Sequence, residues 1–209
     1  MNIKMFGHRC LVEHHKLPRS KSNLMIPDVA GEKDTHRIGI VRVVGDGIVR
    51  HKGETKEVPH VVQVGDVVMF QINQIMQATQ TYIGEGRCCM NMLQGEIIAR
   101  IKGDEASFEN IEMVGDYVLL KSSVKKNNNL IVIPSSVSVQ KNSDFIALEC
   151  AKKGTSVEAP YQIGEELIVN FGRVTPLFIG VKNEDGTSKV EEYLYTTKEW
   201  VDGYVPATG

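Results

Sequence analysis

Along this chain the apolar residues fall in short runs that are rich in Val and Ile and mostly bounded by turn formers. "RIGIVRVVG" (37–45), "VVQVGDVVMF" (61–70), "GEIIARI" (95–101), "DYVLLK" (116–121), "NLIVIP" (129–134), "FIALEC" (145–150) and "ELIVNF" (166–171) are all of this kind. Their lengths and β-branched content predict strands. No stretch keeps a helical period over 11 or more residues, "EEYLYTTKEWV" (191–201) coming nearest. The pattern therefore predicts an all-β chain with short loops. One apolar strip sits in an odd place: in "NLMIPD" (23–28), Leu24, Met25 and Ile26 follow the cationic polar run "KLPRSKSN" and lead into the charged stretch "DVAGEKDTHR".

The landmarks of the first half recur in the second. "MFGHRCLVEHHK" (5–16) matches "MVGDYVLLKSSV" (113–124), and "LMIP" (24–27) matches "IVIP" (131–134) at an offset of 107. "KGETKEVP" (52–59) matches "KGTSVEAP" (153–160), and "QVGDVVMF" (63–70) matches the opening of "QIGEELIVNF" (162–171). Both halves end in a Glu followed by apolar residues, "GEIIARI" and "KEWVDGYV". Five landmarks in one order predict a tandem repeat of a roughly 100-residue β module. The first unit takes 1–103, with a long loop at 17–36 and a hairpin at 45–60. The second takes 110–209, with its loop at 122–143, and 104–109 is the linker. From Pro27 to Lys52 is 25 positions but from Pro134 to Lys153 only 19, so the hairpin is shortened in the second unit.

Composition narrows the function. Hydrophobic residues make up 42% and charged residues 24% of the 209, as in an ordinary globular protein. A net charge of -2 and 6% aromatics give neither the basic footprint nor the stacking platforms of a nucleic-acid binder. No apolar run approaches the roughly 20 residues that cross a bilayer as a helix, and the start, "MNIKMFGHRCLVEHH", lacks a signal-type apolar core. Cys10, Cys88, Cys89 and Cys150 follow no metal-ligand spacing and are expected to be reduced thiols. His14 and His15 are expected at a solvated strand end.

The order of "MNIK", a strand, a long polar loop carrying an apolar triplet, "GIVRVVGDGIVRHKGE" (39–54) and "VQVGDVVMF" (62–70) resembles the GroES-type co-chaperonins, the caps of chaperonin folding chambers. The resemblance is strongest over 1–70 and weaker, though ordered, over 113–205. It implies two tandem GroES-like β-barrels, similar to the duplicated plastid co-chaperonins or to phage-encoded caps. It also implies that Leu24, Met25 and Ile26, and their counterparts Ile131, Val132 and Ile133, bind an apical groove of a GroEL-type chaperonin. Ile48, Val49, Arg50, His51, Lys52, Gly53 and Glu54 would form the roof hairpin, "KG" lying at or near its tip.

A ring homo-oligomer enclosing unfolded substrate is the implied assembly, with no cofactor, no nucleic acid and no membrane as partner. The implied place is a bacterial or phage-infected cytoplasm, or a plastid stroma. Ile72, Ile75 and Met76, in a stretch longer than the family pattern, would face a neighbouring unit or the chamber.

Two other readings compete. The same barrel occurs in zinc-dependent alcohol dehydrogenases, but these need GxGxxG after a strand, and "GEGRCC" (84–89) lacks its third Gly. GxSxG, HExxH and P-loop motifs are also missing, so no enzyme is expected. A structural β-module, such as one of a virion that uses the apolar strips for self-association, is the alternative.

Overall fold

The computed structural model describes residues 3–14, 36–71, 80–83, 87–103, 106–121, 145–183 and 187–205. Both apolar triplets, the run "NLIVIP", and Ile72, Ile75 and Met76 lie outside them. The first half of the chain gives β1 (Arg9–His14), β2 (His36–Val44), β3 (Ile48–His51), β4 (Glu54–Glu57), β5 (Val67–Gln71), β6 (Gln80–Ile83), β7 (Arg87–Leu93) and β8 (Ile97–Ile101). The rest gives β9 (Ile111–Met113), β10 (Tyr117–Lys121), β11 (Phe145–Lys153), β12 (Glu166–Asn170), β13 (Thr175–Lys182), β14 (Ser188–Thr197) and β15 (Val201–Val205). The helix-like stretch 191–201 is the end of β14, a 3-10 turn at Lys198–Trp200 and the start of β15. Its alternating Tyr193 and Tyr195 obey the strand period instead. The chain is all-β.

Two sheets carry the fold. The first runs β6-β7-β1-β2-β5-β8-β9 and the second β13-β14-β10-β11-β12-β15, while among the described residues β3 and β4 pair only with each other. Six positions thus recur in the same order. The irregularities recur too: β1–β2 shifts register at Leu11/Val12 and β10–β11 at Leu119/Leu120. Likewise β5–β8 shifts at Met69/Phe70 and β12–β15 at Ile168/Val169. The "VGD" and "IGE" turns are alike in detail. Gly65 and Gly164 have φ of 96° and 92°, in the left-handed region that glycine enters freely. Asp66 accepts from the Gln63 amide at 2.8 Å, and Glu165 from the Gln162 amide at 2.7 Å.

The halves differ between their second and third core strands. The hairpin β3–β4 fills that gap in the first, whereas 154–165 crosses in turns. The two Lys-Gly pairs, matched by sequence, are not equivalent. Lys52–Gly53 is the hairpin tip, but Gly154 ends β11, where its amide donates to Tyr117 O as the Gly45 amide donates to Arg9 O. Gly serves both places for different reasons. At the tip φ is +85°, and at Gly154 a Cβ would come within 2.5 Å of Gly115 O.

Three apolar cores result. Cys10, Val12, Val41, Val68, Phe70 and Met92 fill the curl of the first sheet. Val118, Leu120, Leu148, Cys150, Leu167 and Val169 fill that of the second. The third core joins them: Ile38, Met69, Ile98, Ala99 and Ile101, on the outer face of the first sheet, pack with Leu119, Leu177, Ile179, Tyr193 and Tyr195 of the second. The 106–111 stretch is built into this joint. Phe108 stacks on Tyr193 at 5.2 Å, and its amide donates to Gly180 O. Lys152 Nζ sits 4.3 Å from the Phe108 ring centroid and donates to Phe108 O and, at 2.6 Å, to Ile111 O. The strand that opens the second half, β9, thereby completes the first sheet.

Met69 is buried at the centre of this third core. Met69→Ala is expected to cost about 2–5 kcal/mol of unfolding free energy, the range for a core methionine. Urea unfolding of the intact chain measures it, and a loss below 1 kcal/mol would show that the joint adds little.

Candidate functional site

The hairpin is the best-defined of the candidate surfaces. Ile48, Val49, Arg50 and His51 form β3, Lys52 and Gly53 the two-residue turn, and Glu54 opens β4, with His51 opposite Glu54 and Ile48 opposite Glu57. Lys52 (φ 48°) and Gly53 (φ 85°) are both left-handed, the requirement of a type I′ turn, whose twist matches the flanking strands. Every side chain from Val49 to Glu57 is exposed. A two-stranded ribbon with no buried face is marginal by itself, so its base carries the load. Asp46 accepts from the amides of Gly7 at 2.7 Å and Ile48 at 3.0 Å, and the Val58 amide donates to Gly47 O at 2.9 Å. The Ile48 and Gly7 amides favour the charged carboxylate and hold Asp46 below its ordinary pKa of 3.8.

The long segment of the first half leaves after His14 and returns at His36, and that of the second leaves after Lys121 and returns at Phe145. Leu24, Met25, Ile26, Ile131, Val132 and Ile133 belong to these segments. What is described is where the segments are rooted. In the first half, the root (His14, His36) and the hairpin base (Gly7, Asp46) lie at opposite ends of the β1–β2 ladder. At roughly 3.3 Å per residue this separates them by about 20 Å.

The first root is tied to the other sheet. His36 Nε2 lies 3.0 Å from Tyr195 Oη, which donates at 3.2 Å to Gln71 Oε1. The three side chains thus form one hydrogen-bonded chain between the first root and the second sheet. Burial, with Tyr117 edge-on at 5.9 Å, pushes the Tyr195 pKa up, so the phenol stays protonated. Sequence reading missed Tyr195, Gln71 and Lys152. The alternating "YLY" was the available signal, since it sets two tyrosines on one face of a strand.

A cleft between the sheets, about 590 Å3 in volume, is lined by His8, His60, Asp116, Tyr117, Ser156 and Lys198 among others. Its polar groups are occupied with one another. Lys198 pairs with Asp116 at 2.9 Å, His60 Nδ1 meets Gln94 Nε2 at 2.8 Å, and His8 Nε2 meets Pro59 O at 3.1 Å. Among the described residues no three His, Cys, Asp or Glu side chains gather as a metal site would need. The four cysteines are free thiols, and burial raises Cys10 to about 12 and Cys150 to about 11. His14 ends β1 exposed, and His15 lies outside the described residues.

The Asp46 anchor should be intact at neutral pH and lost only as pH falls below 3.8 through the lowered value, since a depressed carboxylate stabilises above its unfolded pKa. In an NMR titration the Gly7 and Ile48 amide shifts are expected to move together with a midpoint below 3.8, and Asp46→Asn should abolish the movement. A midpoint at or above the ordinary value would mean that the carboxylate does not hold the ribbon.

Comparison with known proteins bears on this geometry. The family model of the chaperonin 10 kDa subunit matches residues 2–101, from before β1 to the end of β8. No curated protein matches the chain. The matched stretch contains the first long segment with Leu24, Met25 and Ile26, the hairpin and the "VGD" turn. Over residues 2–101, just under half of its length, the chain is similar to the chaperonin 10 kDa subunit family, the GroES-type co-chaperonins.

Proposed function

We propose that this chain caps a GroEL-type chaperonin as a tandem co-chaperonin, residues 110–209 being a second copy of the module in 1–103. The family match over 2–101 carries the reading. The shared strand order and the two register shifts at matching places support the duplication. Leu24, Met25 and Ile26 enter an apolar groove on the chaperonin rim, and Ile131, Val132 and Ile133 do the same from the second module. The exposed ribbon 48–57, about 20 Å from the loop root, meets its copies to form a roof, to which the second module contributes no hairpin. The chain itself catalyses nothing and takes no cofactor, and ATP is hydrolysed by the partner.

The energetics suit a cap that must also leave. Burying each apolar side chain contributes roughly 1.5–3 kcal/mol. Ordering about ten loop residues costs ~1–2 kcal/mol apiece. A single loop is therefore weak or unfavourable alone. A proline disfavours helical conformations of the residue before it, so Pro27 and Pro134 in these sequences reduce the freedom there is to lose. Many loops on one ring then bind through effective concentration, and the ring releases when the grooves turn away.

Met25→Asp is expected to abolish nucleotide-dependent co-elution with a GroEL-type chaperonin in size-exclusion chromatography with ADP or ATP, while leaving the far-UV circular dichroism unchanged. Co-elution at wild-type level by this variant would remove the first triplet as the anchor.

A further inference from the structure

The exposed ribbon is fastened to the first sheet at both of its legs, and the two fastenings differ in chemistry. On the first leg the Asp46 carboxylate accepts from the Gly7 and Ile48 amides. On the second leg the fastening is an imidazole. His60 Nδ1 lies 2.8 Å from Nε2 of Gln94, a side chain with 0% exposure in the 3-10 turn between β7 and β8. Gln94 is itself fixed in place: its backbone amide donates to His8 O at 3.1 Å, and its Oε1 accepts from the Val61 amide at 3.1 Å. The His60 ring also stands against the first leg, since a Cβ on Gly47 would come within 3.4 Å of Nε2. One side chain thus joins both legs to a buried residue of the sheet.

The Val61 amide decides where the protons lie. A backbone N–H only donates, so the Gln94 atom facing it is the carbonyl oxygen and the atom facing His60 is the NH2. His60 Nδ1 therefore accepts, and the bond exists only for the neutral imidazole with its proton on Nε2. A second proton would go on Nδ1 and set one donor against another. Turning the Gln94 amide over gives no escape, because its NH2 would then face the Val61 amide, and an unpaired donor on a fully buried side chain is costly.

The surroundings reinforce this. His8 is stacked on His60 with 6.3 Å between ring centroids and 14° between planes. Its Nε2 donates to Pro59 O at 3.1 Å, a bond open to either charge state, so a charged His8 stays beside His60 and repels a charge there. The carboxylates on the neighbouring elements are engaged elsewhere. Asp46 holds its two amides, Glu96 accepts from the Leu93 amide at 2.7 Å, Asp116 pairs with Lys198 at 2.9 Å, and Glu199 accepts from Thr197 Oγ1 at 3.2 Å. Glu57, at the end of the ribbon, is exposed, and Tyr117 across the cleft is kept protonated by burial. The second half carries a different pair at these places. Register puts Lys198 where the first half has Gln94, and "EAPY" (158–161) puts Tyr161, buried in its own core, where "EVPH" (57–60) has His60. The imidazole–amide pair goes with the half that has a ribbon.

We propose that His60 is a proton-operated latch on the ribbon. Neutral, it ties the second leg to Gln94. Protonated, it releases residues 60 and 61 from the sheet and leaves the ribbon held at Asp46 and at Pro59 O. Imidazoles change charge between about pH 5 and pH 8, well above the range in which the Asp46 anchor is lost, so the two legs let go separately. The device belongs to the free chain and stands whether or not the chain caps a chaperonin.

Amide hydrogen exchange of the full chain at about pH 8 and about pH 5, resolved to single residues and corrected for the intrinsic rate, tests this. The Val61 protection factor is expected to fall at least about tenfold at the lower pH. Val58, whose amide donates to Gly47 O within the ribbon base, and Val41, whose amide donates to Asp66 O, should keep theirs. His60→Asn offers an oxygen in place of Nδ1 and does not titrate, so the fall should vanish. Gln94→Glu should remove it too, because a carboxylate accepts from Nδ1–H in either charge state of the imidazole. His8→Gln should retain a fall. A wild-type Val61 equally protected at both pH values overturns the proposal, as does an undiminished fall in His60→Asn. A fall shared by Val58 and Val41 would be acid unfolding of the whole sheet and overturns it as well.

Discussion

The structure depends on one buried face. The first sheet is apolar on both sides: Val41, Val68 and Phe70 point into its own curl, and Ile38, Met69 and Ala99 point outward into the shared core. A strand covered on both faces reads as a continuous apolar run, one covered on a single face as an alternation. "VVMFQ" in β5 and "ELIVN" in β12 show the difference at equivalent positions, with three consecutive buried residues in the first against two separated by exposed Ile168 in the second. The covered outer face turns two curled sheets into one body, and it also decides which edges remain open.

Apolar packing alone would let the sheets slide, and the polar contacts at the joint fix their register. Lys152 is the clearest case. Burial lowers its pKa, with Glu109 and Glu112 opposing the shift, and its ammonium is held by two backbone carbonyls and the face of Phe108. Charge-assisted bonds are about twice as strong as neutral ones, and these two tie the stretch 106–111 to β11. At the other end of the joint, Tyr195 binds both the residue that closes the first long segment and the last residue of β5. The residue that closes the first long segment is thereby hydrogen-bonded to the second sheet.

Much of this was legible in the sequence, because each strand had to announce its covered face in Val and Ile and each left-handed turn had to carry Gly. The "VGD" and "IGE" turns and the exposed hairpin could be read directly. The Lys-Gly match could not, since glycine answers equally to a positive φ at a tip and to a close backbone approach at Gly154. The joint was hidden for a related reason. The polar residues of "KGDEASFEN" read as a spacer, but Ser107 and Phe108 find partners on β13 that only the fold brings near. The apolar triplets stood out in the sequence because each follows a polar run.

The two kinds of surface left on this body obey different economies. The ribbon 48–57 has no buried side chain and is kept in place by hydrogen bonds at its base. It can therefore meet copies of itself without any cost of exposing a core. The β15 edge and its face are the opposite: among the described residues the equivalent edge of the first half is paired with β9 and its face covered, while Ile168 and Val205 are exposed in the second.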